Sequence, residues 1–140
     1  MNEVNQIIGS IKKGQIKPIY FLMGDEAYFI DQISNYIEKN VLSEDEKSFN
    51  QQILYGLDVK IDEIVASAKR YPMMAERQVI IVKEAQHLSR QIDSLQNYAE
   101  NPVSSTVLVF CYKNKTLDKR KKLYKSVKKS GIVFEGKPLY

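Results

Sequence analysis

The stretch IYFLMGDEAYFID, residues 19–31, decides the fold class of the chain. Its first five residues are all apolar, which is typical of a strand covered on both faces, and Gly24 ends the run. Apolar residues then recur at helical spacing from Phe29 to Ile37, so a helix is predicted there, with Asp25 as its N-cap. A strand that leads through a glycine into a helix is where a phosphate-binding loop would lie.

The residues of this stretch do not match a working phosphate loop. Such a loop reads GxxxxGK followed by Ser or Thr: glycines let backbone N–H groups approach the phosphates, the lysine meets them, and the hydroxyl holds magnesium. Aligned on Gly24, the last three positions hold Phe29, Ile30 and Asp31. Two apolar side chains and a carboxylate remove the positive charge and repel phosphate oxygens. We therefore expect no bound nucleotide, no cofactor and no intrinsic catalysis.

Hydrolysis would also need an acidic residue that holds magnesium at the end of a later strand. The β-branched run Gln78–Val82 predicts that strand, but Lys83 follows it and Glu84 comes only after the lysine. A lysine at the metal-binding position opposes Mg²⁺. One histidine, His87, and one cysteine, Cys111, are too few for a zinc site or a catalytic pair. We expect no metal site, an exposed His87 and a buried Cys111.

The rest of the chain alternates between strands and helices. Further strands are predicted over Ser48–Tyr55, Thr106–Tyr112 and Ile132–Phe134. Further helices are predicted from the apolar sets Val4, Ile7, Ile8 and Ile11; Ile61, Ile64, Val65 and Ala68; Leu88, Ile92, Leu95 and Ala99; and from Leu117–Lys129. Parallel strands need crossover connections, which helices supply on both faces of a sheet. The sequence therefore predicts an α/β fold with a five-stranded, mainly parallel sheet flanked by helices.

Length and composition fit a single domain without a membrane span. The chain has 140 residues, and domains cluster at roughly 100 to 150. Its longest apolar run, Val107–Tyr112, is far below the ~18 residues that cross a bilayer. The N-terminus lacks the pattern of a secretory signal, so we expect a cytoplasmic location and no membrane partner.

Four longer stretches carry a family resemblance. They are KPIYFLMGDEAYFIDQ (17–32), FNQQILYGLD (49–58), RYPMMAERQVIIVKEAQHL (70–88) and KNKTLDKRKKLYKSV (113–127). In this order and spacing they resemble the N-terminal domain of the delta subunit of the bacterial DNA polymerase III clamp loader. The resemblance covers Lys17–Glu135 and implies a three-layer P-loop/AAA+ like domain with a degenerate phosphate loop.

The resemblance also implies a role in DNA replication. The delta subunit binds the ring-shaped sliding clamp and opens it, or traps it open, for loading onto primed DNA. In the family a helical lid domain and a collar domain follow and join the other loader subunits, so residues 1–140 are expected to be the N-terminal domain alone. The expected partners are the sliding clamp, the other loader subunits and primed DNA. The subunit belongs to a nucleotidyltransferase complex, the polymerase holoenzyme, without catalysing its reaction.

The family's clamp contact is a pair of adjacent apolar residues at the tip of a short helix. In this sequence the pair matches Met73 and Met74, flanked by Tyr71, Pro72 and Ala75. Pro72 suits the first turn of a helix, so one short helical turn is predicted here. Methionines also fill gaps in protein cores. The resemblance favours exposed side chains over that alternative.

Positive charge is concentrated in one segment. Residues 113–129 hold nine Lys or Arg residues against Asp118 alone, so they carry +8, and the remainder of a chain with net charge +4 carries −4. Such a segment attracts nucleic acid or is simply a solvated face. Because clamp loaders enclose primed DNA, the resemblance makes Lys119, Lys122 and Lys125 candidate contacts to DNA or to another subunit. A nucleic-acid-binding module and a nucleotide-binding P-loop-like module remain the alternative functions.

Overall fold

Five parallel strands form one sheet at the centre of the fold in a computed structural model that describes residues 2–138. The strands are β1 Ile19–Gly24, β2 Gln51–Tyr55, β3 Gln78–Lys83, β4 Thr106–Lys113 and β5 Ile132–Gly136. Their order across the sheet is β2-β3-β4-β1-β5, and all neighbouring pairs are parallel. The predicted five-stranded, mainly parallel sheet is confirmed.

Helices supply the crossover connections between the strands. They are α1 Asn2–Lys12, α2 Ala27–Asn40, α3 Glu44–Asn50, α4 Ile61–Ala68, a 3₁₀ helix Ala85–Leu95, α5 Gln96–Glu100 and α6 Lys122–Ser130. A parallel pair cannot be joined by a tight hairpin, so a helical segment joins each strand to the next strand along the chain. Within residues 2–138, no helix has both the length and the apolar character needed to cross a membrane.

The side chains of β1 explain why the fold has three layers. Successive residues of a strand point to opposite faces of the sheet. Ile19, Phe21 and Met23 therefore pack with the layer of α4, the 3₁₀ helix, α5 and α6, while Tyr20 and Leu22 pack with α1 and α2. All six residues of β1 are buried. A strand covered on both faces needs the continuous apolar run that the sequence provides.

The prediction of one strand over Ser48–Tyr55 is wrong for its first three residues. Residues 48–50 complete α3, and β2 begins at Gln51. The hydroxyl of Ser43 accepts the N–H of Glu46 at 3.3 Å, and the carboxylate of Glu46 accepts the N–H of Ser43 at 2.9 Å. This reciprocal capping box fixes the start of a helix that the partial polar and apolar alternation concealed.

The predicted helix through Leu88–Ala99 is present, but most of it is not an α-helix. It is a 3₁₀ helix up to Leu95, and α5 begins at Gln96. A 3₁₀ helix has about three residues per turn, so the buried side chains of Ala85 and Leu88 stack along one side.

Candidate functional site

The connection between β1 and α2 is too short to form a phosphate loop. β1 ends at Gly24 and α2 begins at Ala27, so only Asp25 and Glu26 join them, whereas the pattern GxxxxGK needs a longer loop. The N-cap of α2 is Glu26, whose carboxylate accepts the N–H of Tyr28 at 3.1 Å. The prediction of Asp25 as the cap is therefore wrong by one residue.

Two neighbouring segments close the phosphate-loop position. The carbonyl of Gly136, at the end of β5, accepts the N–H of Glu26 at 3.1 Å. Gly24 donates its N–H to the carbonyl of Lys115 at 3.0 Å, and its own carbonyl accepts the N–H of Asn114 at 2.9 Å. Gly24 has a φ of 112°, and a Cβ there would lie 2.5 Å from the carbonyl oxygen of Gly136. The backbone groups that would approach a phosphate are bonded within the protein.

The three residues at the failed positions of the loop pattern have structural partners. Ile30 is fully buried and Phe29 packs against the same apolar layer. The carboxylate of Asp31 lies 2.9 Å from the ammonium group of Lys113, and the carboxylate of Glu84 lies 3.6 Å from that group. Partial burial lowers the pKa of Lys113, but the hydrogen bond to Asp31 and both negative charges outweigh it, so that pKa is raised. One lysine thus neutralises both acids nearest the expected magnesium position.

The other residues considered for metal or catalytic chemistry are separate. His87 is exposed, and Lys83 pairs with Glu38 at 3.6 Å. Cys111 is buried in β4, as predicted, and its burial raises the pKa of the thiol to about 11. Within residues 2–138, no three His, Cys, Asp or Glu side chains lie close enough together to hold a metal ion.

The methionine pair lies in a loop at the amino ends of the strands, whereas the phosphate-loop position lies at their carboxyl ends. We define residues 71–77, which join the region after α4 to β3, as the methionine loop. Tyr71 is 87% exposed, Met73 60% and Met74 101%, while Pro72 and Ala75 are half-buried. The structure therefore exposes the pair, as the resemblance favoured, and the alternative that the pair fills the core is wrong.

The predicted helical turn at this site is also wrong. Residues 71–77 contain no helix. The backbone of Met74 has a φ of 57°, in the left-handed region that residues other than glycine rarely adopt. A proline is compatible with extended and turn conformations as well as with a first helical turn. The loop thus presents its side chains from an irregular, locally strained backbone.

Two buried amide side chains hold the methionine loop. Directly before the loop, Nε2 of the Gln78 side chain donates to the carbonyl of Arg70 at 2.8 Å. In its middle, the side chain of Asn50 bonds both backbone groups of Met73: Oδ1 accepts the N–H at 2.6 Å, and Nδ2 donates to the carbonyl at 2.8 Å. Nδ2 also donates to the carbonyl of Glu46 within α3 at 3.0 Å. The loop is therefore tied to the end of α3.

The sequence reading missed the contribution of α3 to this site. It placed Phe49 and Asn50 on a strand, whereas they are the last two residues of α3. The side chain of Asn50 forms hydrogen bonds to the loop. Phe49 is 73% exposed and directly precedes Asn50. The signal that could have revealed α3 is the Ser43 to Glu46 capping box, followed by a short polar run.

The basic segment is only partly helical, so its three candidate residues are not on one helix. The carboxylate of Asp118 accepts the N–H of Arg120 at 2.9 Å and holds a turn, which delays the start of α6 to Lys122. Lys119 lies before α6, with its ammonium group 3.8 Å from the carboxylate of Glu135. The helix predicted from Leu117 is therefore wrong in its first five residues.

Two of the candidate lysines form part of an exposed helix face. Leu123 and Val127 of α6 are buried, and at 100° per residue Lys122 and Lys125 project away from them. Within residues 2–138 neither lysine has an acidic side chain within ion-pair distance. This face is solvated and positively charged.

The fold and the closed phosphate-loop position define an AAA+ like domain, a three-layer α/β fold of the P-loop class whose phosphate loop is degenerate. A solved structure described as a DNA polymerase III, gamma subunit-related protein from Thermotoga maritima shares this fold. The two align with a TM-score of 0.53 at 18% identity, covering 97% of this chain and 46% of the other.

Residues 20–137 match the family described as DNA polymerase III, delta subunit, and the chain belongs to this family. It is 31% identical over 139 residues to the DNA polymerase III subunit delta of Bacillus subtilis (strain 168), covering 93% of this chain and 40% of that protein. The solved structure of the Bacillus subtilis DNA clamp loader delta protein matches with a TM-score of 0.83 at 32% identity, covering 97% of this chain and 43% of the other. The chain spans about two fifths of the length of these relatives.

Proposed function

We propose that this chain is the clamp-binding part of a clamp-loader subunit that acts in DNA replication. The observation that carries the proposal is the exposure of Met73 and Met74 in a member of the delta family. Monomeric proteins rarely expose large apolar side chains side by side without a partner. In this role the methionine loop binds the sliding clamp, and the clamp ring is opened or held open for loading onto primed DNA.

The energy available from the methionine pair is large enough to decide binding. Burial of one methionine side chain contributes roughly 1.5 to 3 kcal/mol before ordering costs, and about 1.4 kcal/mol is a tenfold change in affinity. Ordering costs fall when the binding loop already has its bound shape. Contact alone does not open a ring: the loop must bind the open clamp better than the closed one, by the amount that it shifts the equilibrium.

We infer further that the chain contributes no catalysis. The short connection after Gly24 and the internal bonds of Glu26 support this inference, as does the pairing of Asp31 with Lys113. Its role in the polymerase holoenzyme is then that of a binding subunit. The assignment of the chain as an N-terminal domain, with the other loader subunits joined through further domains, stays a prediction.

A second candidate function is weak binding of DNA phosphates. It is favoured by the exposed lysine face of α6 at Lys122 and Lys125. Lysines contact phosphates without reading sequence, so the affinity should fall steeply with salt. In the full loader this face would meet primed DNA or a neighbouring subunit.

Calorimetric titration of the chain into the sliding clamp of the same organism tests the leading proposal. We expect Met73→Ala/Met74→Ala to weaken binding at least about tenfold, since two apolar anchors are removed. Leu57→Ala is the matched control: Leu57 is 76% exposed, but it follows the carboxyl end of β2, at the opposite edge of the sheet. Equal affinities for all three proteins, with folding confirmed by circular dichroism, would refute the proposal.

A further inference from the structure

We propose that Asn50 is the positioning residue of the methionine loop. Its buried side chain fixes the backbone of Met73, so that the loop presents Met73 and Met74 in a conformation ready to bind. The inference rests on the proposed function, because it specifies how the same surface is prepared. It adds to that surface a residue that lies 23 positions away in the sequence and does not itself face the partner.

The contacts of Asn50 satisfy its amide group without help from solvent. The side chain is 4% exposed, and its oxygen accepts the N–H of Met73. Its NH₂ group has two hydrogens, and they are directed to the carbonyls of Met73 and Glu46. An asparagine offers one acceptor and two donors on a short stem. Aspartate has the same shape but cannot donate, and alanine can make none of the three bonds.

The methionine loop needs such a support because nothing regular holds it. Met73 lies in a segment without helix or strand, so its N–H and carbonyl have no ladder or helical partner of their own. Backbone N–H and C=O groups in folded proteins are nearly always paired, and Asn50 supplies a partner for both groups of Met73. The arrangement copies the paired bonds of two neighbouring strand residues, with a side chain in place of one backbone.

The strain at Met74 gives the support a further task. A left-handed backbone conformation is unfavourable for a residue with a side chain, and it persists only where the surroundings hold it. The residue before Met74 is the one that Asn50 grips at both backbone groups. Released from that grip, Met74 would leave the left-handed region and the two side chains would change direction. Binding would then have to restore the loop, at a cost in affinity.

The affinity of three variants for the sliding clamp tests the inference. Loss of the two bonds to Met73 should weaken binding about tenfold in Asn50→Ala, because binding must then order a loop that Asn50 no longer holds. Asn50→Asp should weaken it too, because its carboxylate faces the carbonyl of Met73. Val127→Ala is the control and should bind like the unmodified chain. Val127 is buried in α6, which packs near β5, at the other end of the strand order from β2.

A measurement on the unmodified chain covers the case in which Asn50 variants fail to fold. Hydrogen exchange followed by NMR should find the amide of Met73 protected although its side chain is exposed, and the amide of Met74 faster. An unprotected Met73 amide would overturn the inference, as would Asn50 variants that bind within twofold of the unmodified chain. If Met73→Ala/Met74→Ala weakens binding and Asn50→Ala does not, this inference falls while the proposed function stands. If the double substitution has no effect, the proposed function itself fails.

Discussion

The carboxyl ends of the parallel strands form one edge of the sheet, the carboxyl edge, and their amino ends form the other, the amino edge. These two edges are built in opposite ways. At the carboxyl edge, the position of the phosphate loop is filled by the protein's own groups: the carbonyl of Gly136 accepts the N–H of Glu26, the N-cap of α2, and Lys113 neutralises Asp31. At the amino edge, the side chains of Met73 and Met74 are exposed to solvent, while the side chain of Asn50 bonds the backbone of Met73. One edge has its polar groups paired internally, and the other leaves its apolar groups without a partner.

The difference teaches where to look for function in a fold whose usual site is lost. In open α/β sheets, ligands bind at the carboxyl ends of the strands. Here the groups at that edge bond one another, and the exposed apolar side chains lie on the methionine loop before β3. A fixed backbone under exposed apolar side chains suits binding of a protein surface, because the ordering cost is met in folding.

The largest expected effect is a loss of stability at the closed edge in Gly24→Ala. A Cβ at Gly24 would collide with the carbonyl of Gly136, in a backbone conformation that alanine disfavours. Overpacking and the left-handed conformation together should cost about 3 kcal/mol in the free energy of urea unfolding. Gly14→Ala is the control, since Gly14 also has a positive φ but has open space around it, so only the conformational cost of about 1 kcal/mol applies. Similar losses in both variants would contradict the closed packing at Gly24.

A smaller effect is expected from the buried thiol behind the closed edge. Burial raises the pKa of Cys111 from 9.0 to about 11, so the unfolded chain ionises first as the pH rises. The stabilising contribution is therefore complete below pH 9.0 and is lost as the pH approaches about 11, by about 2 kcal/mol. Urea unfolding at several alkaline pH values should show a steeper loss of stability in the unmodified chain than in Cys111→Ala. Parallel pH profiles for the two proteins would show that the thiol is not buried as described.

The least effect is expected at the basic face of α6. Lys122→Ala/Lys125→Ala should reduce weak DNA binding a few-fold and lower the magnitude of the slope of log affinity against log salt by about 1.8, because two phosphate contacts are lost. Lys13→Ala/Lys39→Ala removes the same charge from the turn after α1 and from α2, in the opposite layer, and is the control. Fluorescence anisotropy with a labelled duplex measures both slopes. Equal slopes for the two variants would mean that α6 is only a solvated face.

The interior strands and the lost phosphate loop could be predicted from the sequence. The apolar runs of β1, β3 and β4 are long enough to identify strands covered on both faces, and the mismatch at Phe29, Ile30 and Asp31 is local. The helices around them follow from apolar spacing. These features depend on neighbours within one element, which is the information that a sequence pattern carries.

The features that escaped prediction depend on single side-chain bonds, some between neighbouring residues and some between distant segments. The short helix α3 buries almost no apolar side chain, so it gives no helical stripe, and Asn50 was assigned to a strand. The two bonds between Asn50 and Met73 join residues that are 23 positions apart, so no local pattern shows them. The late start of α6 follows a turn in which the carboxylate of Asp118 accepts the backbone N–H and the guanidinium group of Arg120. A tertiary contact decided the case of the methionine loop, and short-range side-chain bonds decided the other two.

Methyl NMR of the chain labelled at its methionines tests the central claim most directly. Met73 and Met74 are exposed in the methionine loop, whereas Met23 is buried at the carboxyl end of β1, beside the closed edge. On titration with the sliding clamp, the account predicts that the methyl signals of Met73 and Met74 shift and broaden strongly while that of Met23 keeps its position. A response of Met23 with none at Met73 and Met74 would show that the clamp binds elsewhere, and the account would be wrong.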